Sequence, residues 1–370
     1  MKICLLCFDI SNNSLGRAAL LASALSSHHD VKIIGVSKNG ATWYPMRDVD
    51  IHIEIYPWRR YPFFISTIRK MLRDMDADIY IACKLRPTSF GIALLKKWSS
   101  RKPVILDIDD WEAGFYYHSG FWGSVGRFMN FSNPNGLPYT WLMEKLVGFA
   151  DSIIVSNKFL QNRFSGCLIH HCRDTSILNP ENFDSQKVKK SLGLENNRVI
   201  MFMGTPRAHK GIDDLIKAFE SLNHSDLRLV FIGAEPSFNP RQEKIVVLPK
   251  TSFNDLPKYL SAADILVVPQ RDTTDTQGQI PAKLFDAMAM AKPVITTRVS
   301  DIPEVLGGNG YLVEPGDSDG LARAIQHVLD QPLEATEKGI RARKRCVELF
   351  DIKVMERKLL KLIEKTIEKL

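Results

Sequence analysis

Residues 2–36 constrain the fold more than any other stretch. Lys2 to Phe8 is an apolar run of strand length, Asp9 to Gly16 is a polar loop, Ala18 to Leu25 has helical composition and spacing, and Val31 to Val36 is a second apolar run. Strand, helix and strand in this order form a crossover unit, and such units build parallel sheets with helices on their faces. Further strands are expected at Ile79–Ala82 and Pro103–Ile108, with a helix at Ser89–Trp98 and another from about Thr140 to Ala150 that leads into Asp151-Ser152-Ile153-Ile154-Val155-Ser156. The loop before Gly16 lacks the full G-x-G-x-x-G pattern, which disfavours an ordinary dinucleotide site.

A chain of 370 residues is long for a single core, so two domains are expected. The second opens at Arg198, with a strand at Val199–Met203, a helix from about Ile212 to Leu222, and strands at Leu229–Gly233 and Ile245–Leu248. Between the first strand and the helix stands Gly204-Thr205-Pro206-Arg207-Ala208-His209-Lys210-Gly211. This is not a P-loop, because the spacing differs and no Ser or Thr follows the lysine. Cations at a helix N-terminus oppose the helix dipole, so packing alone explains Arg207 and Lys210 poorly; a bound anion explains them well.

The formal net charge of +7 suits a polyanionic substrate, an anionic membrane surface or nucleic acid and selects none of them; no nucleic-acid partner is expected. The six cysteines are scattered, which argues against a disulfide scaffold. Cys4 and Cys7 sit inside the first apolar run and read as buried thiols, and Cys167, His170, His171 and Cys172 lack a second cluster to complete a zinc site. MKICLLCFDI is short for a signal sequence and no apolar run reaches membrane-spanning length, so a cytoplasmic location is expected, with peripheral membrane contact left open.

A second long constraint is Gln277 to Pro315. It holds a loop with Gly278 and Pro281, a helix from about Ala282 to Ala291, a buried strand at Val294–Thr297 and a turn at Gly307, Gly308 and Gly310. A loop delivered onto a helix N-terminus presents free N–H groups to a phosphate or a sugar hydroxyl. This stretch resembles the donor-site signature of retaining glycosyltransferases of family four, which have the two-Rossmann GT-B fold. The resemblance lies in Ala287-Met288-Ala289, Lys292-Pro293-Val294, Ile302-Pro303-Glu304 and Pro315-Gly316-Asp317. Asp286 stands at the second acidic position of that signature, while Gly278 replaces the first. The Lys210-Gly211 pair resembles the family's diphosphate clamp. Thr205 occupies the usual arginine position, and Arg207 is expected to substitute.

The resemblance implies an α/β protein of two Rossmann-like domains facing across a cleft. Residues 1–178 would form an acceptor-side domain, 179–350 a nucleotide-sugar domain, and 351–370 a helix packing back on the first. It implies sugar transfer with retention from a nucleotide-diphosphate sugar to a glycan or lipid-linked acceptor. That donor is a substrate; no resident cofactor and no metal are expected. Arg207 and Lys210 would neutralise the diphosphate beside Gly204 and Gly211, and Asp286 would bind the ribose. Backbone N–H groups of Gly278, Gln279 and Ile280 would hold phosphate or sugar, Lys250 would lie near the base, and Gly16 under the diphosphate. Asp109 takes the place where the family often carries a histidine, and an acceptor-binding or proton-handling role is assigned to it. Asp107-Ile108-Asp109 is formally a D-x-D metal motif, but the surrounding chain is unlike the fold that uses it.

Three segments carry two readings each. Tyr56 to Met75 interleaves aromatic and basic residues, as a surface helix or a membrane-facing patch would. Phe115 to Trp141 is dense in aromatics, including Phe121 and Trp122, and reads as a lid, an acceptor wall or a packed loop. The final segment places Val354, Leu359, Leu360, Ile363 and Ile367 at helical spacing. Two other functions stay open: another GT-B enzyme, such as a nucleotide-sugar epimerase or an inverting transferase, and a non-catalytic nucleotide-sugar-binding relative.

Overall fold

The computed structural model describes residues 1–119, 128–234, 238, 240 and 242–369. Phe121 and Trp122 lie outside these. The chain forms two units: residues 1–170 with 353–370, and residues 171–352. The division falls at His170/His171, ahead of the expected boundary at 178/179. The reason is local: Arg173 joins Asp286 of the second unit through its side chain, so the segment after His171 belongs there.

In the first unit, strands β1 (Lys2–Cys7), β2 (Asp30–Ser37), β3 (His52–Pro57), β4 (Ile79–Cys83), β5 (Val104–Ile108), β6 (Ser152–Val155) and β7 (Cys167–Leu168) make one sheet, ordered β3-β2-β1-β4-β5-β6-β7. Every neighbouring pair is parallel. Period-two alternation directs Cys4, Leu6, Ile34, Val36, Tyr80 and Ala82 to one core. Leu5, Cys7, Ile33 and Ile81 are buried as well, as a sheet covered on both faces requires. Helix α1 runs Ser14–Leu25, α2 Phe64–Asp74 and α3 Ile92–Ser100. Helix α1 starts earlier than its composition suggests, so Gly16 is inside its first turn rather than in the preceding loop.

In the second unit, β8 (Arg198–Met203), β9 (Leu227–Ile232), β10 (Ile245–Leu248), β11 (Ile265–Val268), β12 (Val294–Thr297) and β13 (Tyr311–Val313) are ordered β10-β9-β8-β11-β12-β13, again all parallel. Val199, Met201 and Met203 point into one core with Leu284 and Met288; Ile200 and Phe202 point into the other with Leu215. Helix α4 runs Ile212–Glu220 and α5 Ala282–Ala289. Helix α6 (Ile352–Ile367) lies with the first unit from Lys353 on: Leu359 and Ile363 are buried, and the Thr366 and Ser152 hydroxyls are 2.7 Å apart. Among the described residues, no helix is long and apolar enough to cross a membrane.

Candidate functional site

In the second sheet the strand order reverses between β8 and β11, and an open α/β sheet binds ligands outside the carboxyl ends of its strands at such a point. The chain leaves β8 there through residues 204–211 and enters α4. Two left-handed glycines frame this loop, Gly204 at φ +97° and Gly211 at φ +66°. Gly211 is the stricter of the two. A Cβ on it would stand 1.8 Å from the Pro269 carbonyl oxygen just beyond β11, so only glycine lets the loop close on that strand end.

Lys210 ends a short 3₁₀ turn over Ala208–Lys210. Its ammonium donates to the Thr205 carbonyl at 2.9 Å. Burial pushes its pKa down to about 8, and the charge of Arg207 pushes the same way. The acidic residues nearby do not relieve it. Asp214 in the first turn of α4 is taken by Arg271, with contacts of 2.8 and 2.7 Å. The loop therefore holds cations that no carboxylate among the described residues pairs with, and a loop ending on a helix N-terminus compounds that need for an anion.

A further lysine arrives from a different element, and the sequence reading missed it. Lys283 is in the first turn of α5, with its Nζ 3.7 Å from the centre of the Phe202 ring in β8. A Cβ on Gly204 would come within 3.9 Å of that Nζ. Burial, and then the charge of Lys210, push the Lys283 ammonium well below its ordinary pKa, with Asp286 opposing. The available signal was the one used for Lys210: a lysine at the positive end of a helix.

The loop before α5 corrects one expectation. The N–H groups of Gly278 and Gln279 both turn onto the Thr276 carbonyl, closing a short helix over Thr274–Gln277, and so are committed within the chain. Ile280 inserts its side chain into the core. Asp286, the expected ribose ligand, has a partner within the chain as well. It is buried, and Arg173 takes both its carboxylate oxygens: Nε donates to Oδ1, and Nη2 to Oδ2 at 3.2 Å. Arg173 also donates to the carbonyls of Cys172 at 2.7 Å and Ala282 at 3.0 Å. Asp286 thereby anchors the segment after His171 to α5 instead of presenting a free carboxylate to a ribose. Lys250 follows β10, the edge strand, and is half-buried.

In the first unit, Asp109 is also held within the protein. Lys84, at φ +74° just past β4, places its Nζ 2.8 Å from Asp109 Oδ1 and 3.2 Å from Glu112 Oε1, and pairs with Asp110. Glu112 pairs in turn with Arg86, which donates to Tyr116 Oη at 2.7 Å and Thr140 Oγ1 at 2.9 Å. Burial raises Asp109, against Lys84, which lowers it. The pair to Lys84 makes Asp109 part of a buried ion cluster, so the carboxylate expected to bind acceptor or handle a proton has a partner within the chain. Asp107 of the D-x-D pattern is bound by Arg17 at 2.8 Å and is fully buried, unlike an open metal ligand. Gly16 packs on Trp43, 3.4 Å from the position its Cβ would take.

The two parallel sheets and their switch points are those of the GT-B fold. The chain superposes on the Anabaena protein HepE, described in complex with UDP-glucose, with a TM-score of 0.78 at 16% identity, covering 99% of this chain and 100% of HepE. Residues 197–331 match the family model of glycosyl transferases group 1. The chain is 28% identical over 265 residues to the putative teichuronic acid biosynthesis glycosyltransferase TuaC of Bacillus subtilis, covering 68% of this chain and 61% of TuaC. It is 29% identical over 181 residues to N-acetyl-alpha-D-glucosaminyl L-malate synthase of Bacillus anthracis, covering 45% of each. It thus spans about half to three-fifths of the length of these curated relatives.

Proposed function

We propose that the protein is a retaining glycosyltransferase that moves a sugar from a nucleotide-diphosphate sugar to a hydroxyl-bearing acceptor. One observation carries this reading: the loop 204–211 holds Lys210 half-buried, next to Arg207, and among the described residues no carboxylate is paired to it. A diphosphate supplies the missing charge. As the glycosidic bond breaks, negative charge grows on the departing diphosphate, and fixed cations stabilise that state more than the ground state. The Thr205 carbonyl holds Lys210 in place, so little reorganisation is needed during the reaction. Retention requires no protein nucleophile if the acceptor attacks on the face that the leaving group vacates. This agrees with Asp109 and Asp286 both being engaged by cations of the chain.

The relatives favour a carbohydrate or lipid-linked precursor as acceptor, since TuaC is named for teichuronic acid biosynthesis. A peripheral membrane contact suits such an acceptor: Arg59 and Arg60 are exposed near the exposed aromatic Phe63. HepE, described with UDP-glucose, places UDP-sugars first in a donor search. The test is a thermal-shift panel of UDP-, GDP- and ADP-sugars, followed by product anomer determination with the donor that binds. A product of inverted configuration overturns retention. Binding without turnover over a broad acceptor set supports a non-catalytic nucleotide-sugar binder instead.

A further inference from the structure

Lys283 has no place in the donor-site pattern, and it is costly where it stands. It lies in the first turn of α5, where the helix dipole repels a cation. It is close enough to Lys210 for that ammonium to disfavour its charge. Among the described residues no carboxylate pairs with it and no acceptor takes its protons. Its nearest compensation is the face of Phe202, 3.7 Å from Nζ. A cation over an aromatic ring recovers only part of the desolvation it suffers. An ordinary helix-surface lysine would swing its flexible stem into water.

The surroundings say what completes the site. Gly204, the first loop residue after β8, keeps the space beneath the ammonium free of a side chain. Lys210 reaches the same loop from its far end through the Thr205 carbonyl. Two cations from separate elements thus converge on one short backbone segment at the strand switch point. Thr205 occupies the place where a second loop cation would otherwise stand.

We propose that Lys283, on α5, is a further cation of the diphosphate site, beyond Lys210 and Arg207 of the loop, and contacts the phosphates together with Lys210. This rests on the glycosyltransferase reading and adds a residue to it. The loop then binds a dianionic bridge between two elements, and Gly204 is the floor of that bridge. No bond is made or broken by Lys283; it supplies hydrogen-bond donors and charge.

The test uses inorganic pyrophosphate as the probe, with UDP and uridine as comparators, on the full-length protein and the variants Lys283→Met and Lys283→Arg. We expect Lys283→Met to weaken pyrophosphate and UDP about ten- to a hundredfold, the range for losing a charged hydrogen-bond partner, and to leave uridine unchanged. Lys283→Arg should retain most of the affinity. In the absence of ligand, Lys283→Met should melt at a higher temperature than the wild type, since an uncompensated charge is gone. A structural lysine would show the reverse. Unchanged pyrophosphate and UDP binding in Lys283→Met overturns the role of Lys283 and leaves the glycosyltransferase reading intact, as does an equal loss for uridine. A wild type that binds neither pyrophosphate nor any nucleoside diphosphate overturns both.

Discussion

Arg173 and Asp286 form a buried ion pair that ties two segments 113 residues apart, the stretch after His171 and helix α5. Both carboxylate oxygens are used, and the guanidinium spends its other donors on the Cys172 and Ala282 carbonyls. The pair therefore fixes the position of α5, the helix that carries Lys283.

Asp286→Ala leaves the Arg173 charge buried without a partner. Breaking a buried pair in this way costs about 3–5 kcal/mol, which lowers Tm on the order of 10 °C for a unit of this size. Replacing both residues, as in Arg173→Met with Asp286→Leu, should cost far less. A melting series on the singles and the double measures the coupling. A loss of only a few tenths of a kcal/mol in Asp286→Ala would return Asp286 to the role of a dipole partner with its carboxylate open to a ligand.

Lys210→Ala should weaken a nucleotide-diphosphate sugar about ten- to a hundredfold without lowering Tm, because among the described residues the lysine forms one hydrogen bond and pairs with no carboxylate. A pH dependence follows from the same residue. Its pKa is down at about 8 in the folded protein, against an ordinary 10.5, so it loses its proton as pH rises through about 8. Diphosphate affinity should fall over that range in the wild type. The charging cost to stability is complete below about pH 8 and vanishes toward 10.5, so the ligand-free protein gains stability across that window. Calorimetric titrations at pH values spanning the window check the affinity, and a flat profile removes Lys210 from the site.

The alternation of strand and helix was legible because a parallel sheet buried on both faces needs nearly continuous apolar runs. Val294–Thr297 and Ile245–Leu248 stand where their composition puts them. Strand β3, His52–Pro57, was not read: it is an edge strand with mostly half-exposed or exposed residues, so it lacks an apolar run. The glycine-framed loop was legible from local order in the chain. The partners of Asp109 and Asp286 were not, since Lys84 and Arg173 are brought in by tertiary folding and neither belongs to a local motif. Lys283 escaped for a related reason. Its neighbours in sequence, Leu284 and Phe285, mark a core helix, and only the fold sets it over Phe202 in a strand far back in the chain.

Glycosyl transfer should survive EDTA. The motivation is positive: Arg207 and Lys210 supply at the diphosphate the charge that a divalent ion supplies in other transferases. Turnover of the donor that raises Tm, assayed with and without chelator, checks this. Loss of activity that manganese restores would move the charge compensation to a metal and demand a new account of Asp107 and Asp109.

The last expectation concerns Asp110, beside Lys84. Burial raises its pKa from 3.8 to about 6; Lys84 opposes this, while Asp109 and Glu112 add to it. A raised folded-state pKa means that the folded protein holds a proton the unfolded chain has given up. The resulting stability is fully present below 3.8 and is lost as pH rises through about 6. The whole effect is bounded at about 3 kcal/mol, by the cost of one pKa unit over that interval. Asp110→Asn removes it, and Lys84 keeps Asp109 at 2.8 Å and Glu112 at 3.2 Å. The variant should therefore gain on the wild type as pH is raised between about 4 and about 7, with the gain levelling above the folded-state pKa. Urea melts of both proteins at each pH read the difference directly. Parallel stability curves would mean that the attraction of Lys84 cancels the burial of Asp110, and that this carboxylate titrates alike in the folded and unfolded chain.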